Sequence, residues 1–591
     1  MRGSRQIGSP SPPRRWKLRL VVVGGLGALF LAILLRGVSG LASVQVDSDN
    51  DSPKQASGLT TPGVCLSASA GVYGGEFRYG LIGEPTTLDP HSGGRQEILS
   101  QVFEGLLSFD EDLNLLSAIA TSWETTDAQT FTFHLRGDVY FHNGRQLTAQ
   151  DVVYSWERLS PDIISSTTAI SSTTVQVTLD YPKIQWLYEL PTVSYSVVPS
   201  ETVDAIDQYP VGSGPFRFDN WTSGVAITLT VNTNYYAGRP YLDRVIFPFY
   251  ADDDAMYAAF QAGQLDWSNV PGSQIASLSG DSNLVLQYSP GWHWLWMTPH
   301  LTPTNQITVR WALKYAIDLP AAISGTNAVV PGYYPQADSI VLPGLQGYDP
   351  VLSATYTYSP SLALQLLYSA GYTDTAPGDG VLDDGNGNDL AIELWTNAGN
   401  TTRETVVGLI AGEWRDIGGS GVGISVTTIF TDWSVFLGNV FAKTMPAYIA
   451  GIASGNLEPF GYFDTFFRTG SVLNLTGYSD ALVDAWLDQS MRIISLAQRH
   501  ALYQQIEERI LGDTPIVPLW YEGEAYIKAT CVNGLVIPVN GDIPLEKVVR
   551  CGVYLPIVRN VSSIVRQLCL EFREHIWLPG LWTAPTTTAA C

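Results

Sequence analysis

The side chains that most often carry chemistry are present here, but not in spacings that perform it. The chain has 7 histidines and no HExxH, so no helix presents two imidazoles and a general base to zinc. His134 and His142 lie in strand-like segments, where packed or solvent-facing rings are the expectation. "GGSGVG" and "VGSGPF" miss the spacing of the GxSxG turn that exposes a serine nucleophile, and there is no phosphate-cradling GxxxxGK[ST]. Asp384, Asn386 and Asn388 of "DDGNGNDLAIEL" match the first odd positions of a calcium loop. Position six is then Asp389 rather than glycine, and position twelve is Trp395 rather than glutamate, so a polar hairpin tip is the better reading. Paired carboxylates occur throughout, none singled out by spacing. The 5 cysteines cannot all pair within one chain. Cys531 and Cys551 are placed to bridge in an oxidising compartment, Cys569 and Cys591 are similarly spaced, and no CxxC points to zinc or thiol exchange. The residues give no sign of an enzyme and call for no metal or cofactor.

The remaining concentration of unusual side chains is "GWHWLWMTPH". Trp292, Trp294 and Trp296 alternate, so a strand places all three on one face and His293, Leu295 and Met297 on the other. Such a face either packs a core or offers rings to a ligand.

The elements that must hold these residues follow from periodicity. "TFTFHLR" and "VQVTLDY" alternate with period two and read as strands, and "GGEFRYGLI" as a short strand. "DAMYAAFQAGQLDWSNV" reads as a helix begun by Asp252 or Asp253 and ending near Gly263. "SPSLALQLLYSAGY" reads as a helix with a Ser-Pro start and a stop at Gly371. "ITVRWALKYAID", "RETVVGLIAGEWRDIG" and "AQRHALYQQIEERILGDTP" read as helices, and "GISVTTIF" as a strand. Alternating strands and helices in this number imply α/β lobes, and 591 residues exceed one compact core. A net charge of −24 without a basic stripe excludes nucleic acid as a partner.

The N-terminus carries a different signal. Arg14, Arg15, Lys17 and Arg19 precede an apolar run of 16 residues, Leu20 to Leu35. As a helix it spans about 24 Å, short of the roughly 30 Å of a bilayer core. Residues 1–42 therefore read as a signal peptide or membrane anchor. Residues 43–73, rich in Ser, Asp, Thr, Gly and Pro, read as a disordered linker, and residues 551–591 as an unassigned C-terminal extension.

From "GGEFRYGLIGEPTTLDPH" onward the chain resembles the extracellular solute-binding proteins of the peptide/nickel class of ABC importers. The run from Val102 to Leu159, "VFEGLLSFDEDLNLLSAIATSWETTDAQTFTFHLRGDVYFHNGRQLTAQDVVYSWERL", follows that family's N-terminal signature. "VGSGPFRFDNWTSGVAITLTVNTNYYAGRPYLDRVIF", "VRWALKYAIDLPAAI", "TGYSDALVDAWLDQS" and "RHALYQQIEERILGDTPIVPLWY" follow in the family's order. The resemblance covers about residues 74–540 and implies a two-lobed, hinged α/β protein of periplasmic-binding type with the ligand between its lobes. Lobe one would span 74–295 with 515–550 returning to it, and lobe two 296–514. It also implies a peptide or other small solute as ligand, permease subunits as partners, a place outside the cytoplasmic membrane, and binding without catalysis. A tethered sensor or oligosaccharide receptor is the alternative.

For the site, the resemblance implies Glu84 and Thr86 on the lip of lobe one and Trp395, Asn397, Asn400 and Arg403 in the cleft wall of lobe two. It places "WHWLWMT" on the strand entering lobe two, where Trp294 and Trp296 either border the cleft or pack the core. Relatives that hold peptides use an aspartate four residues before a proline for the free amino end. In "IASGNLEPFGYFDTFF" that place is Gly455, beside Asn456, which argues against peptides with a free amine because a buried unpaired cation is costly. Glu458 either substitutes or serves a structural role.

Overall fold

The computed structural model describes residues 73–550 apart from 111, 325–334, 346, 350–356, 376–378, 418, 420, 454–457 and 536–542. Strand β1 (Glu76–Arg78) opens a sheet that the chain completes only after an excursion. The excursion is a second, antiparallel sheet of β2 (Ala120–Glu124), β3 (Thr130–Leu135), β4 (Ile164–Ser171) and β5 (Thr174–Leu179), in spatial order β2-β3-β5-β4. The alternation of "TFTFHLR" buries Phe131, Phe133 and Leu135 against Trp156 and Trp186. Helix α1 (Ala149–Leu159) covers this sheet, and its capping box of Thr148 and Asp151 fixes where it starts.

The chain then returns through β6 (Phe216–Thr222), β7 (Ala226–Val231) and β8 (Arg244–Tyr250), and β1 lies parallel to β8 with Phe77 opposite Val245. Phe77, Phe216, Ile227, Leu229 and Val245 make a core of their own, which Val532, Leu545 and Val548 from the far end of the chain complete.

The other half is built on one six-stranded sheet. Its strands are β9 (Trp267–Asn269), β10 (Leu284–Met297), β11 (Ala391–Asn397), β12 (Ser425–Thr431), β13 (Ala447–Ala453) and β14 (Ile516–Lys528). Their order is β9-β14-β10-β13-β11-β12. Both faces of the middle strands are covered. Helix α2 (Thr401–Arg415) packs Val406, Ile410 and Trp414 on the face that carries Leu295, Met297, Ile449 and Leu394. Helices α3 (Pro459–Phe467) and α4 (Leu496–Asp513) pack Phe463, Phe466, Tyr503 and Ile506 on the opposite face. Strands buried on both sides need apolar residues at every position, and β13, "AYIAGIA", has them.

The pairing shows where the halves join. Strand β9 meets β14 at Tyr526–Lys528, and β13 meets β10 at Gly291–Met297. Between these regions β10 and β14 pair with each other, and their register shifts between Tyr288 and Trp292 and again between His293 and Trp294. Two strands and an irregularity are therefore the main link between the halves, and a bulge is where a paired ribbon bends most readily. A second contact lies beside it, where Ile184 N donates to Met491 O (3.0 Å) and Gln185 Nε2 to the Tyr503 hydroxyl (2.9 Å).

Candidate functional site

At the shift in register three elements bring charged side chains together. His293 of β10 stacks flat on Trp520 of β14, with ring centroids 4.3 Å apart and planes at 7°. Its Nε2–H donates to Glu522 Oε2. Gly451 of β13 permits this arrangement, because a Cβ there would lie 2.8 Å from His293 Cε1. Arg403 comes from the first turn of α2, where Asn400 caps the helix by accepting from Arg403 N at 2.9 Å. The Arg403 guanidinium makes no hydrogen bond or ion pair among the described residues, and its Nε is buried.

The electrostatics tie the group together. Burial alone would push the Glu522 carboxyl up, but the His293 charge, the His293 hydrogen bond and Arg403 together hold it below its ordinary value. Burial pulls Arg403 below its ordinary value, and Glu522 opposes that shift. A carboxyl held below its ordinary value and a desolvated guanidinium thus interact electrostatically near the crossover. On the other side of the crossover, Arg95 Nη2 donates to Ile82 O (2.5 Å) and the Tyr526 hydroxyl donates to Glu524. Burial and the neighbouring Glu97 carboxylate push Tyr79, next to them, well above its ordinary value.

The residues expected from the sequence fall into three groups. Arg403 stands in the cluster, and Asn400 positions it. Trp395 is half-buried with its Nε1 on Glu393 (3.0 Å). Asn397 is 7% exposed, donates to Ala398 O (3.1 Å), and keeps its Oδ1 unpartnered among the described residues. Glu84 and Thr86 are exposed. Glu84 accepts from Trp221 Nε1 (2.7 Å) and Gly224 N (3.0 Å), which ties the lip to the β6–β7 hairpin.

Two readings need correction. Trp294 and Trp296, like Trp292, are 0% exposed. They pack against Tyr448, Tyr462, Phe466 and Phe467 on the α3–α4 face, so they are core rather than a stacking surface. Glu458 is 4% exposed. Its carboxylate accepts from Phe460 N (3.0 Å) at the start of α3 and from the Tyr503 hydroxyl (2.8 Å), and it meets Arg499 at 3.3 Å. All its capacity is spent inside the fold. Gly455 and Asn456 lie outside the described residues, as does Cys551; Val532 stands opposite Arg550 in the strand pair next to it. At Asp384 the Oδ1 accepts from the backbone of Asn386 (2.8 Å) and Asn388 (3.0 Å), the geometry of a closed turn.

The sequence reading missed Glu522 and left His293 merely on the face opposite the tryptophans. Strand alternation was the available signal: a histidine among apolar neighbours, and "WYEGE" placing two carboxylates, Glu522 and Glu524, in a mostly apolar strand.

Two lobes joined by a pair of strands, with charged groups gathered at the joint, define a hinged binding protein of the two-lobed periplasmic type. The chain matches the model of the bacterial extracellular solute-binding proteins, family 5 Middle, over residues 114–474, and it belongs to that family. It is 27% identical over 543 residues to the oligopeptide-binding protein AppA of Bacillus subtilis, covering 86% of this chain and 94% of the relative. It is 26% identical over 482 residues to the glutathione-binding protein GsiB of Escherichia coli K12, covering 74% and 87%. Among solved structures, the unliganded open form of MppA, a periplasmic murein tripeptide binding protein, superposes with a TM-score of 0.73 at 19% identity, covering 82% of this chain and 99% of that one. AppA from Bacillus subtilis with a bound nonapeptide gives 0.58 at 25% identity, covering 82% and 100%. Members of this family are the substrate-binding components of ABC importers, and the chain takes that role.

Proposed function

We propose that the chain captures a peptide or a comparable small polar solute at the crossover of β10 and β14, outside the cytoplasmic membrane, and passes it to an importer permease. The N-terminal segment would hold it at the membrane; among the described residues no helix is long and apolar enough to cross one. The observation that carries the reading is the position of the Arg403, Glu522 and His293 cluster at the joint between lobes. A ligand held there touches both halves, so it binds the closed state better than the open one and shifts the population toward it. Sites at the carboxyl ends of strands in open α/β sheets are also the general rule, and β11, β13 and the turn into α2 supply such an edge. Trp292, Trp294 and Trp296 offer no stacking surface to a sugar, since their faces are occupied by protein.

Denaturing the purified chain and analysing the released small molecules by mass spectrometry tests the reading. One dominant solute in near-stoichiometric amount is expected, and it rebinds unchanged to the refolded chain. Absence of any solute together with no rebinding, or recovery of a chemically altered solute, contradicts it.

A further inference from the structure

Away from the crossover, the half that carries β1–β8 encloses a cavity of about 430 Å³. Its described lining falls between residues 100 and 237 and between 543 and 547, so none of it comes from β10, β14 or the helices on the six-stranded sheet. The cavity lies at the seam of the two cores of that half. Phe103 belongs to the core of Phe77 and Val245, and Leu107 to the core of Phe131 and Trp186. Gly105 lets the chain pass between them, because a Cβ there would lie 2.3 Å from Leu190 O.

The polar lining is rich in acceptors and short of donors. Glu104 Oε1 accepts from the Tyr235 (2.6 Å) and Tyr236 (3.0 Å) hydroxyls, and Oε2 from Ser213 Oγ at 3.3 Å. Neutral hydroxyls therefore hold this carboxyl, and no ion pair does among the described residues. Glu546, on the segment returning from the far end of the chain, adds a second carboxyl to the lining, again without an ion pair there. Gln101 is 3% exposed and lines the same cavity. Its Nε2 donates to Ile543 O (3.0 Å) and Ser100 Oγ (3.1 Å), while its buried Oε1 has no partner among the described residues. Such an acceptor is costly unless a donor meets it. The other charged groups of the lining are spent elsewhere or solvated. Arg136 gives Nε and Nη2 to Asp138 (3.0 and 3.4 Å) and lies over the Tyr236 ring at 4.7 Å. Lys547 is exposed, and Asp110 accepts from Asp112 N and Asn114 N within its own turn. Burial pushes the Glu104 carboxyl up to about 7, with Glu546 adding to the shift and the three hydroxyl donors opposing it.

We propose that this cavity is a second ligand site, separate from the crossover, and that it takes a primary organic ammonium whose N–H groups meet Glu104, Glu546 and Gln101 Oε1 and whose apolar body lies against Phe103 and Phe109. A primary ammonium brings three donors and a positive charge, which are what this lining lacks. A neutral alcohol brings one donor and no charge, and an anion meets two carboxyls. The site stands independently of the receptor reading, because it shares no residue with the crossover.

Calorimetric titration of the full chain with phenethylammonium and with phenethyl alcohol tests this. The ammonium is expected to bind roughly 10- to 100-fold more tightly than the alcohol, the worth of one charged hydrogen bond. Its affinity rises about tenfold between pH 6 and pH 8 and is level above, because a protonated Glu104 must lose its proton before it holds a cation, while that of the alcohol stays flat. Glu104→Gln and Glu546→Gln each remove most of the preference for the ammonium, whereas Glu522→Gln at the crossover leaves it in place. The pH series uses the unaltered chain, so a variant that fails to fold leaves the test intact. An ammonium that binds no better than the alcohol, an affinity independent of pH, or a preference lost in Glu522→Gln and kept in the other two variants would overturn the proposal and leave the receptor reading standing.

Discussion

Trp294→Ala is expected to lower the stability of the chain by about 3–5 kcal/mol, the usual cost of truncating a buried tryptophan. Trp294 is 0% exposed and lies 5.1 Å from Trp296, 5.9 Å from Phe467 and 6.1 Å from Phe466, centroid to centroid. Removing it opens a hole between β10 and α3 that rigid aromatic neighbours cannot fill, and it also forfeits edge contacts worth roughly 0.5–1.5 kcal/mol per pair. Because the ring lies on the face opposite His293 and Arg403, affinity for the co-purifying solute should change little. Urea unfolding and calorimetry on one preparation separate the two effects. A variant of near-normal stability that no longer binds would place the ring in the cleft after all.

Glu458→Ala is expected to be comparably damaging, by about 3–5 kcal/mol, because it strands a buried charge. Arg499 is 2% exposed and touches the Glu458 carboxylate, while its Nη1 is held by the carbonyls of Ile493 and Ile494 at 3.0 Å. Without Glu458 the guanidinium stays buried with no counter-charge, α3 loses the acceptor for Phe460 N, and the Tyr503 hydroxyl loses the acceptor for its proton. Replacing both Glu458 and Arg499 by methionine should recover much of the loss, since no lone charge then remains. Equal stability of Glu458→Ala and the parent in urea would contradict this account of the contact.

Much of the fold was legible because its elements are locally consistent. The helix expected from Asp252 is capped by Asp252 and runs Asp253–Gln261, with Gly263 at φ 73° just beyond it. The Ser-Pro start before Leu362 gives Pro360–Ser369, followed by Gly371 at φ 94°. The division of the first half into two cores was not legible, since period-two strands look alike whichever sheet they join. Nor could spacing say which face of β10 is which. Alternation puts three tryptophans together, but both faces of that strand are covered, and the partner helices α2, α3 and α4 come from distant segments.

The candidate site was legible only in part, for a related reason. Arg403 and Asn400 stood out through resemblance to the cleft wall of relatives. Glu522 did not, because its role depends on His293 reaching it across a register shift, a contact between residues 229 positions apart. Glu458 stayed ambiguous because a carboxylate before a proline is compatible with both a ligand contact and a helix cap, and the burial of Arg499 beside it favours the cap.

Small-angle X-ray scattering of the stripped chain, with and without the solute it releases on denaturation, tests the hinge most directly. The account predicts a smaller radius of gyration and a shorter maximum dimension at saturating solute, as the lobes turn about β10 and β14. Superimposable profiles with binding confirmed by calorimetry in the same sample would contradict it.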